Sequence, residues 1–228
     1  MLGAELTAPA LDAAGQMALD EAVLLSAPVG ALILRVYLWS DRACTFGYSQ
    51  PHRAARAACD ARGWTDVAPV RRATGGGIVF HDGDVTFSLV FPWERTWAPD
   101  SIYKNIHRAA HLGLKRAGAA TFLNSPPARP LGAAAACFAR AEPMDLVLDD
   151  GTKVLGGALR KREGKGLYQG SLRLERLGLS AQAAAEAVAE GAALEFGHAP
   201  SRELAPEWLE AARDLAQRYR SRDWNQRR

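Results

Sequence analysis

Three consecutive glycines, Gly75-Gly76-Gly77, constrain this chain more than any other stretch. Glycine loses more backbone freedom on folding than any other residue, and it packs no side chain. A folded protein keeps such a run where the backbone must turn unusually or lie against something bulky. Arg71-Arg72-Ala73-Thr74 precede the run and Ile78-Val79-Phe80-His81-Asp82 follow it. Two guanidinium forks beside bare backbone N–H groups make a cradle for an anionic or polar group. The competing reading is a glycine-rich hairpin beside solvated arginines. The loop is not a Walker A loop, because no Gly-Lys-Ser/Thr follows. It is not a dinucleotide fingerprint, because its glycines are contiguous.

The surrounding pattern places this loop between strands. Residues 66–70 read as a strand running into it. Residues 78–80 and 85–91 alternate around Asp82-Gly83-Asp84, the strongest hairpin signal in the chain. Upstream, residues 13–26 carry a helical apolar stripe with Asp20 and Glu21 on the wet side. Residues 31–39 and 42–48 read as strands and 53–62 as a short helix. Downstream come a long helix over 99–118 and a Pro/Gly/Ala-rich connection over 124–136. A hairpin over 144–148 and 152–159 turns at Asp149-Asp150-Gly151, and a strand follows over 166–174. Helices over 180–189 and 206–219 start at Ser180 and Pro206. No repeat or domain boundary shows. Hairpins predominate, and strands do not alternate regularly with helices. That predicts an α+β fold with mixed, mostly antiparallel sheets flanked by helices.

Composition narrows the function classes. The 28 basic and 25 acidic residues leave a net charge of +3, which argues against a dedicated nucleic-acid binder. Cys44, Cys59 and Cys137 show neither zinc nor CxxC spacing, and sparse odd cysteines fit a reducing compartment. No apolar stretch is long enough to span a membrane, and the first residues carry no secretory pattern. The expectation is a cytoplasmic protein with no membrane or nucleic-acid partner.

Several residues are candidates for chemistry. Lys153 precedes Val154-Leu155-Gly156-Gly157, so its charge can reach a phosphate, carboxylate or thioester carbonyl beside exposed backbone. It could equally be an edge-strand lysine that blocks sheet association. Cys137, at the end of the long connection, is either a nucleophile or a buried filler, whereas Cys44 and Cys59 read as packing. Arg35 interrupts an apolar strand, which requires a partner, a site or an end reaching water. His81 follows the glycine loop and can act as base or substrate contact. His107 and His111, four apart without a zincin glutamate between them, read as surface or packing residues.

In order along the chain, several segments match one family. They are Met17-Ala18-Leu19-Asp20-Glu21-Ala22, Leu34-Arg35-Val36-Tyr37, Gly47-Tyr48-Ser49-Gln50, the loop from Arg71 to Asp82, Lys153-Val154-Leu155-Gly156 and Asp223-Trp224-Asn225. The chain resembles the lipoate–protein ligase and octanoyltransferase family, whose catalytic domain is related to that of biotin–protein ligase. The resemblance implies a single biotin/lipoyl protein ligase-like catalytic domain over residues 1–228, with no C-terminal accessory domain. It implies that Arg72, Gly75, Gly76, Gly77 and His81 line a pocket for the fatty acyl chain and its activated head. Arg35, Arg71, Gly156 and Gln169 complete the acyl- and nucleotide-binding set. Lys153 would contact the acyl carbonyl and the phosphate or thioester oxygen. The product would be an octanoyl or lipoyl amide on a lysine of a lipoyl domain, such as an H protein or an E2 subunit.

Two activation chemistries fit that family. One branch takes the acyl group from an octanoyl-carrier protein onto a cysteine upstream of the lysine, without a cofactor. Cys137-Phe138, sixteen positions before Lys153 (153 − 137), resembles that motif. Ligases instead form an acyl-adenylate from lipoate, ATP and Mg²⁺, and some work with a separate accessory subunit. A third glycine at Gly77 is similar to the ligases, since the cysteine branch commonly carries arginine there. Gln169 stands where the family usually has histidine and cannot titrate. It also invites a third reading, a non-catalytic acyl or nucleotide binder.

Overall fold

Residues 85–92 are apolar or small on both faces, and a strand buried on both faces belongs in the middle of a sheet. In the computed structural model that strand is the centre of the molecule. The structure describes residues 4–7, 10–124, 141–197 and 201–227, with 4–7 and 201–203 described by their backbone alone. The elements run β1 (Ala4–Thr7), α1 (Ala13–Ser26), β2 (Ile33–Tyr37), β3 (Ala43–Phe46), α2 (His52–Ala61), β4 (Val70–Arg71) and β5 (Ile78–His81). They continue with β6 (Val85–Pro92), α3 (Pro99–Arg116), β7 (Phe122–Leu123), β8 (Leu146–Val147), β9 (Lys153–Arg162) and β10 (Lys165–Leu172). Last come α4 (Ala181–Phe196), β11 (Ser201–Glu203), α5 (Pro206–Arg220) and α6 (Arg222–Asn225).

The described strands form an eight-stranded sheet, ordered β11-β1-β2-β6-β10-β9-β8-β7, and a three-stranded sheet, ordered β4-β3-β5. β1 pairs in parallel with β11 and β2, and β3 pairs in parallel with β4. The other pairings are antiparallel. The α+β expectation of mixed, mostly antiparallel sheets is therefore met.

The expected hairpin around Asp82-Gly83-Asp84 is not one. β5 pairs with β3 in the small sheet, whereas β6 lies between β2 and β10 in the large one. Asp84 explains the corner. Its side chain is buried and turned inward onto His81, Thr86 and Ser171, so these residues join two sheets. The tight hairpin is instead β9–β10, where Glu163 and Gly164 both have positive φ, as a two-residue hairpin turn of primed type requires.

Alternation sorts the large sheet into two faces. Phe87, Leu89 and Phe91 of β6 pack with Leu34, Tyr168 and Leu172 beneath α3 and α4. Ile33, Val90 and Leu167 meet α1 and α5 on the other side. On that second face the same strands carry Arg35, Tyr37, Thr86, Ser88, Gln169 and Ser171, all but Tyr37 among the buried polar residues. The expected wet side of α1 is also buried. Asp20 and Glu21 are 1% and 5% exposed because strand and C-terminal side chains pair with them. Glu21 accepts from Arg218 and Tyr219 of α5.

Candidate functional site

The polar face of the sheet, α1 and the glycine loop enclose a narrow cavity of about 30 Å³. Its walls include Met17, Trp39, Arg72, Gly76, His81, Gly156 and Gln169. That volume holds a water or two. It is less than an eight-carbon chain fills, so acyl entry requires lining side chains to move. Met17, an unbranched thioether, has the freedom to do so.

Arg72 shapes the loop that forms one wall. Its Nη2 donates to the carbonyls of Gly75 (2.9 Å) and Gly77 (2.8 Å), and its Nη1 donates to Thr45 Oγ1 (2.9 Å). Gly76 lies between those carbonyls at φ +83°, a backbone conformation that favours glycine. The glycine loop therefore wraps a buried guanidinium and presents Gly76 to the cavity.

His81 continues this network. Its ring stacks on Trp39 with centroids 3.9 Å apart. Nδ1 lies 2.9 Å from Asp84 Oδ2, and Nε2 lies 2.8 Å from Thr45 Oγ1. Burial pushes the Asp84 carboxyl up. The His81 charge and hydrogen bonds from His81, Ser171 and Thr86 outweigh it and hold the carboxyl below its usual range. An ionised carboxylate only accepts, so His81 Nδ1–H donates to Asp84. Nε2 lies against the Thr45 hydroxyl, whose oxygen accepts from Arg72. One hydrogen-bonded chain thus runs from Arg72 through Thr45 and His81 to Asp84.

The cavity floor is a second polar cluster. Asp20 accepts from Arg35, from Tyr37 Oη (2.9 Å), from Ser88 Oγ (2.5 Å) and from Gln169 Nε2 (2.6 Å). Arg35 also donates to Gln16, and its guanidinium lies 4.0 Å from the Tyr37 ring centroid. Arg35 is thus a fully buried ion-pair partner beneath the cavity. The alternative of an end that reaches water does not hold. Gln169 bridges floor and wall, because its Oε1 accepts from Thr74 Oγ1 at 2.7 Å.

Lys153 stands at the far edge. Its Nζ is 2.8 Å from Asp145 Oδ2, with both side chains buried. The Lys153 stem folds back over Gly156. A Cβ at Gly156 would lie 2.3 Å from Lys153 Cε and 2.5 Å from Nζ. This contact is the physical content of a lysine three residues before a glycine: only a bare α-carbon lets the ammonium lie across the strand beside the cavity.

Arg71 faces elsewhere. Its guanidinium donates to the carbonyls of Tyr48, Gln50, Trp224 and Asn225, and its N–H donates to Asn225 Oδ1. It ties the C-terminal segment to the small sheet and is not among the cavity walls. Cys44 and Cys59 are buried packing residues in the core of that sheet. Cys137 lies outside the described residues. No group of three His, Cys, Asp or Glu side chains that could hold a metal ion occurs among the described residues, and the Asp145 carboxylate is taken up by Lys153.

Sequence reasoning missed Asp20, Thr45, Asp84, Thr86, Ser88, Asp145 and Ser171. Thr86-x-Ser88 and Gln169-x-Ser171 were the available signal: polar residues two apart in otherwise apolar strands mark one face.

With this geometry in hand, likenesses to known proteins gain meaning. The chain is 30% identical to octanoyltransferase LipM of Kyrpidia tusciae across 95% of each chain. It is 32% identical to LipM of Symbiobacterium thermophilum over 70% of its length, spanning 60% of that protein. Its fold is similar to that of Ta0514, a lipoate protein ligase of T. acidophilum solved with lipoic acid bound, with a TM-score of 0.81 at 22% identity and full coverage of both chains. No described helix is long and apolar enough to cross a membrane. The lipoyl protein ligase A/B catalytic domain matches residues 12–187, well over half of the chain, and the protein belongs to that family.

Proposed function

We propose that this protein transfers an octanoyl group from a carrier-protein thioester to a lysine of a lipoyl domain, through a thioester on Cys137. The observation that carries the reading is Lys153 laid over Gly156 at the edge of the cavity, in a chain 30% identical to a LipM octanoyltransferase over nearly its whole length. The Cys137 thiolate attacks the donor carbonyl, its S–C bond forms as the donor's S–C bond breaks, and the carrier leaves as a thiolate that takes up a proton from water. The acceptor lysine amine then attacks the enzyme thioester. An amide forms, the amine proton is released and the Cys137 thiolate returns. In both steps charge develops on the carbonyl oxygen, and the Lys153 ammonium is a fixed cation at the cavity edge to stabilise it. Trp39, Met17 and the glycine loop offer the alkyl chain a largely apolar slot. The protein acts in the cytoplasm, with the lipoyl domain as acceptor and an acyl carrier protein as donor.

Mass spectrometry of an apo lipoyl domain tests this. The acceptor is mixed with the protein and octanoyl-carrier protein, or with lipoate, ATP and Mg²⁺. Modification from the thioester without ATP, lost in Cys137→Ser, is expected. Modification only with ATP, unaffected by Cys137→Ser, would replace the reading with adenylate-forming ligation. No modification under either condition would leave the protein as a binder.

A further inference from the structure

We propose that His107 is a positioning residue for Lys153, acting from α3 through the Met144 carbonyl and the Asp145 carboxylate. The inference rests on reading Lys153 as the cation of the reaction. His107 is fully buried, with Nδ1 2.5 Å from Met144 O and Nε2 2.7 Å from Tyr168 Oη. Burial holds its imidazole down to about 4, so it is neutral at physiological pH. A carbonyl only accepts, so the single ring proton sits on Nδ1, and Nε2 accepts from the Tyr168 hydroxyl.

Met144 is the element this bond controls. It has φ +70°, left-handed backbone that a side-chain-bearing residue adopts at a cost. Two bonds hold it there: its N–H donates to Asn124 O (3.0 Å), and its carbonyl accepts from His107. The unusual turn aims the next residue. Asp145 Oδ2 accepts from the Glu142 N–H (2.7 Å) and lies 2.8 Å from Lys153 Nζ. Lys153 has a long, flexible stem, and that stem lies over Gly156. The Asp145 carboxylate holds the ammonium, and His107 holds the backbone that presents the carboxylate.

Two readouts test this on the full-length protein. In octanoyl transfer, His107→Ala should lower kcat at least tenfold, with KM for the thioester donor within threefold. His107→Asn keeps an N–H donor near the Nδ1 position and should stay within about fivefold of the native kcat. By NMR of ¹³C-labelled lysine without substrate, the Lys153 signal should move towards that of exposed lysines in His107→Ala and keep its native position in His107→Asn. An unmoved Lys153 signal in His107→Ala overturns the proposal. So does equal loss of kcat in both variants in step with their melting temperatures. If the native protein transfers no acyl group, the Lys153 reading fails, and the NMR comparison still decides the positioning claim.

Discussion

Gln169 Nε2 lies 2.6 Å from Asp20 Oδ2, beneath the cavity, and this contact gives Gln169 a physical role. A carboxylate only accepts, so the amide nitrogen must face Asp20 and the amide oxygen must face Thr74. Gln169 therefore works as a bridge with one donating and one accepting end, a job that requires no titration.

That assignment predicts an ordered series. A neutral histidine also has one donor and one acceptor, so Gln169→His should keep acyl transfer within a few-fold. Gln169→Leu removes both bonds and leaves the buried Thr74 hydroxyl without its acceptor, at about 1–3 kcal/mol, while Asp20 keeps Arg35, Tyr37 and Ser88. Gln169→Glu sets a second carboxylate against Asp20 and should be the worst of the three at neutral pH. Steady-state rates and urea denaturation of the three variants check the ranking. Glu behaving as well as His would refute the bridge.

Gly156→Ala should cost more activity than its lost stability explains. The added methyl would occupy the space of Lys153 Cε and Nζ. The lysine stem is flexible and can swing away, so the clash itself is relieved, and the Asp145 carboxylate left buried without its ammonium costs the fold about 3–5 kcal/mol. The ammonium would leave Asp145 and the cavity edge, and transfer should fall by about 10²-fold, within the range seen when one transition-state donor is removed. Melting temperature and kcat measured on the same preparation decide it; a variant that loses stability but keeps native kcat per folded molecule would contradict the placement.

The two adjacent arginines should fail differently. Arg71 binds backbone carbonyls that fasten the C-terminal segment, and its N–H binds Asn225. Arg71→Met should cost about 3 kcal/mol or more through unsatisfied buried carbonyls, with KM for the donor unchanged in the folded fraction. Arg72 holds the glycine loop through Gly75 and Gly77. Arg72→Lys retains charge but loses the planar fork, so the loop should loosen and KM should rise about tenfold. Denaturation midpoints and KM values for both variants test the contrast.

These contacts also show what was legible beforehand. Helix starts at Ser180 and Pro206 were readable because capping chemistry is local. The glycine loop and Lys153-x-x-Gly156 were readable because bare backbone is rare and purposeful. The Asp82-Gly83-Asp84 corner misled because a turn signal states that the chain reverses and not which sheet each arm joins. Arg71 and Arg72 are adjacent and chemically identical. Only the pairing of β4 with β3 sends one guanidinium to the C-terminal segment and the other into the loop. The Asp20 cluster draws on α1, β2, β6 and β10, and partners that distant in sequence leave no spacing to read.

His107 makes a pH prediction whose sign can be fixed in advance. Burial holds the folded-state imidazole at about 4, against ~6.5 in an unfolded chain. Between those values the unfolded chain binds a proton that the folded chain does not. Stability therefore rises with pH across that window and falls on acidification, and below about pH 4 the slope from this group vanishes. The difference corresponds to about 3 kcal/mol present at pH 7 and lost by pH 4. Asparagine has no such equilibrium, so His107→Asn should lack this component while other groups titrate as before. The stability gap between native protein and His107→Asn, measured by urea denaturation at pH 7, 5.5 and 4, should shift by about 3 kcal/mol against the native protein. Parallel profiles would mean that the imidazole takes up its proton in the fold at the same pH as in the unfolded chain. Below that pH its Nε2 could no longer accept from Tyr168, and the directed contact that runs from α3 to Met144 would have to be redrawn.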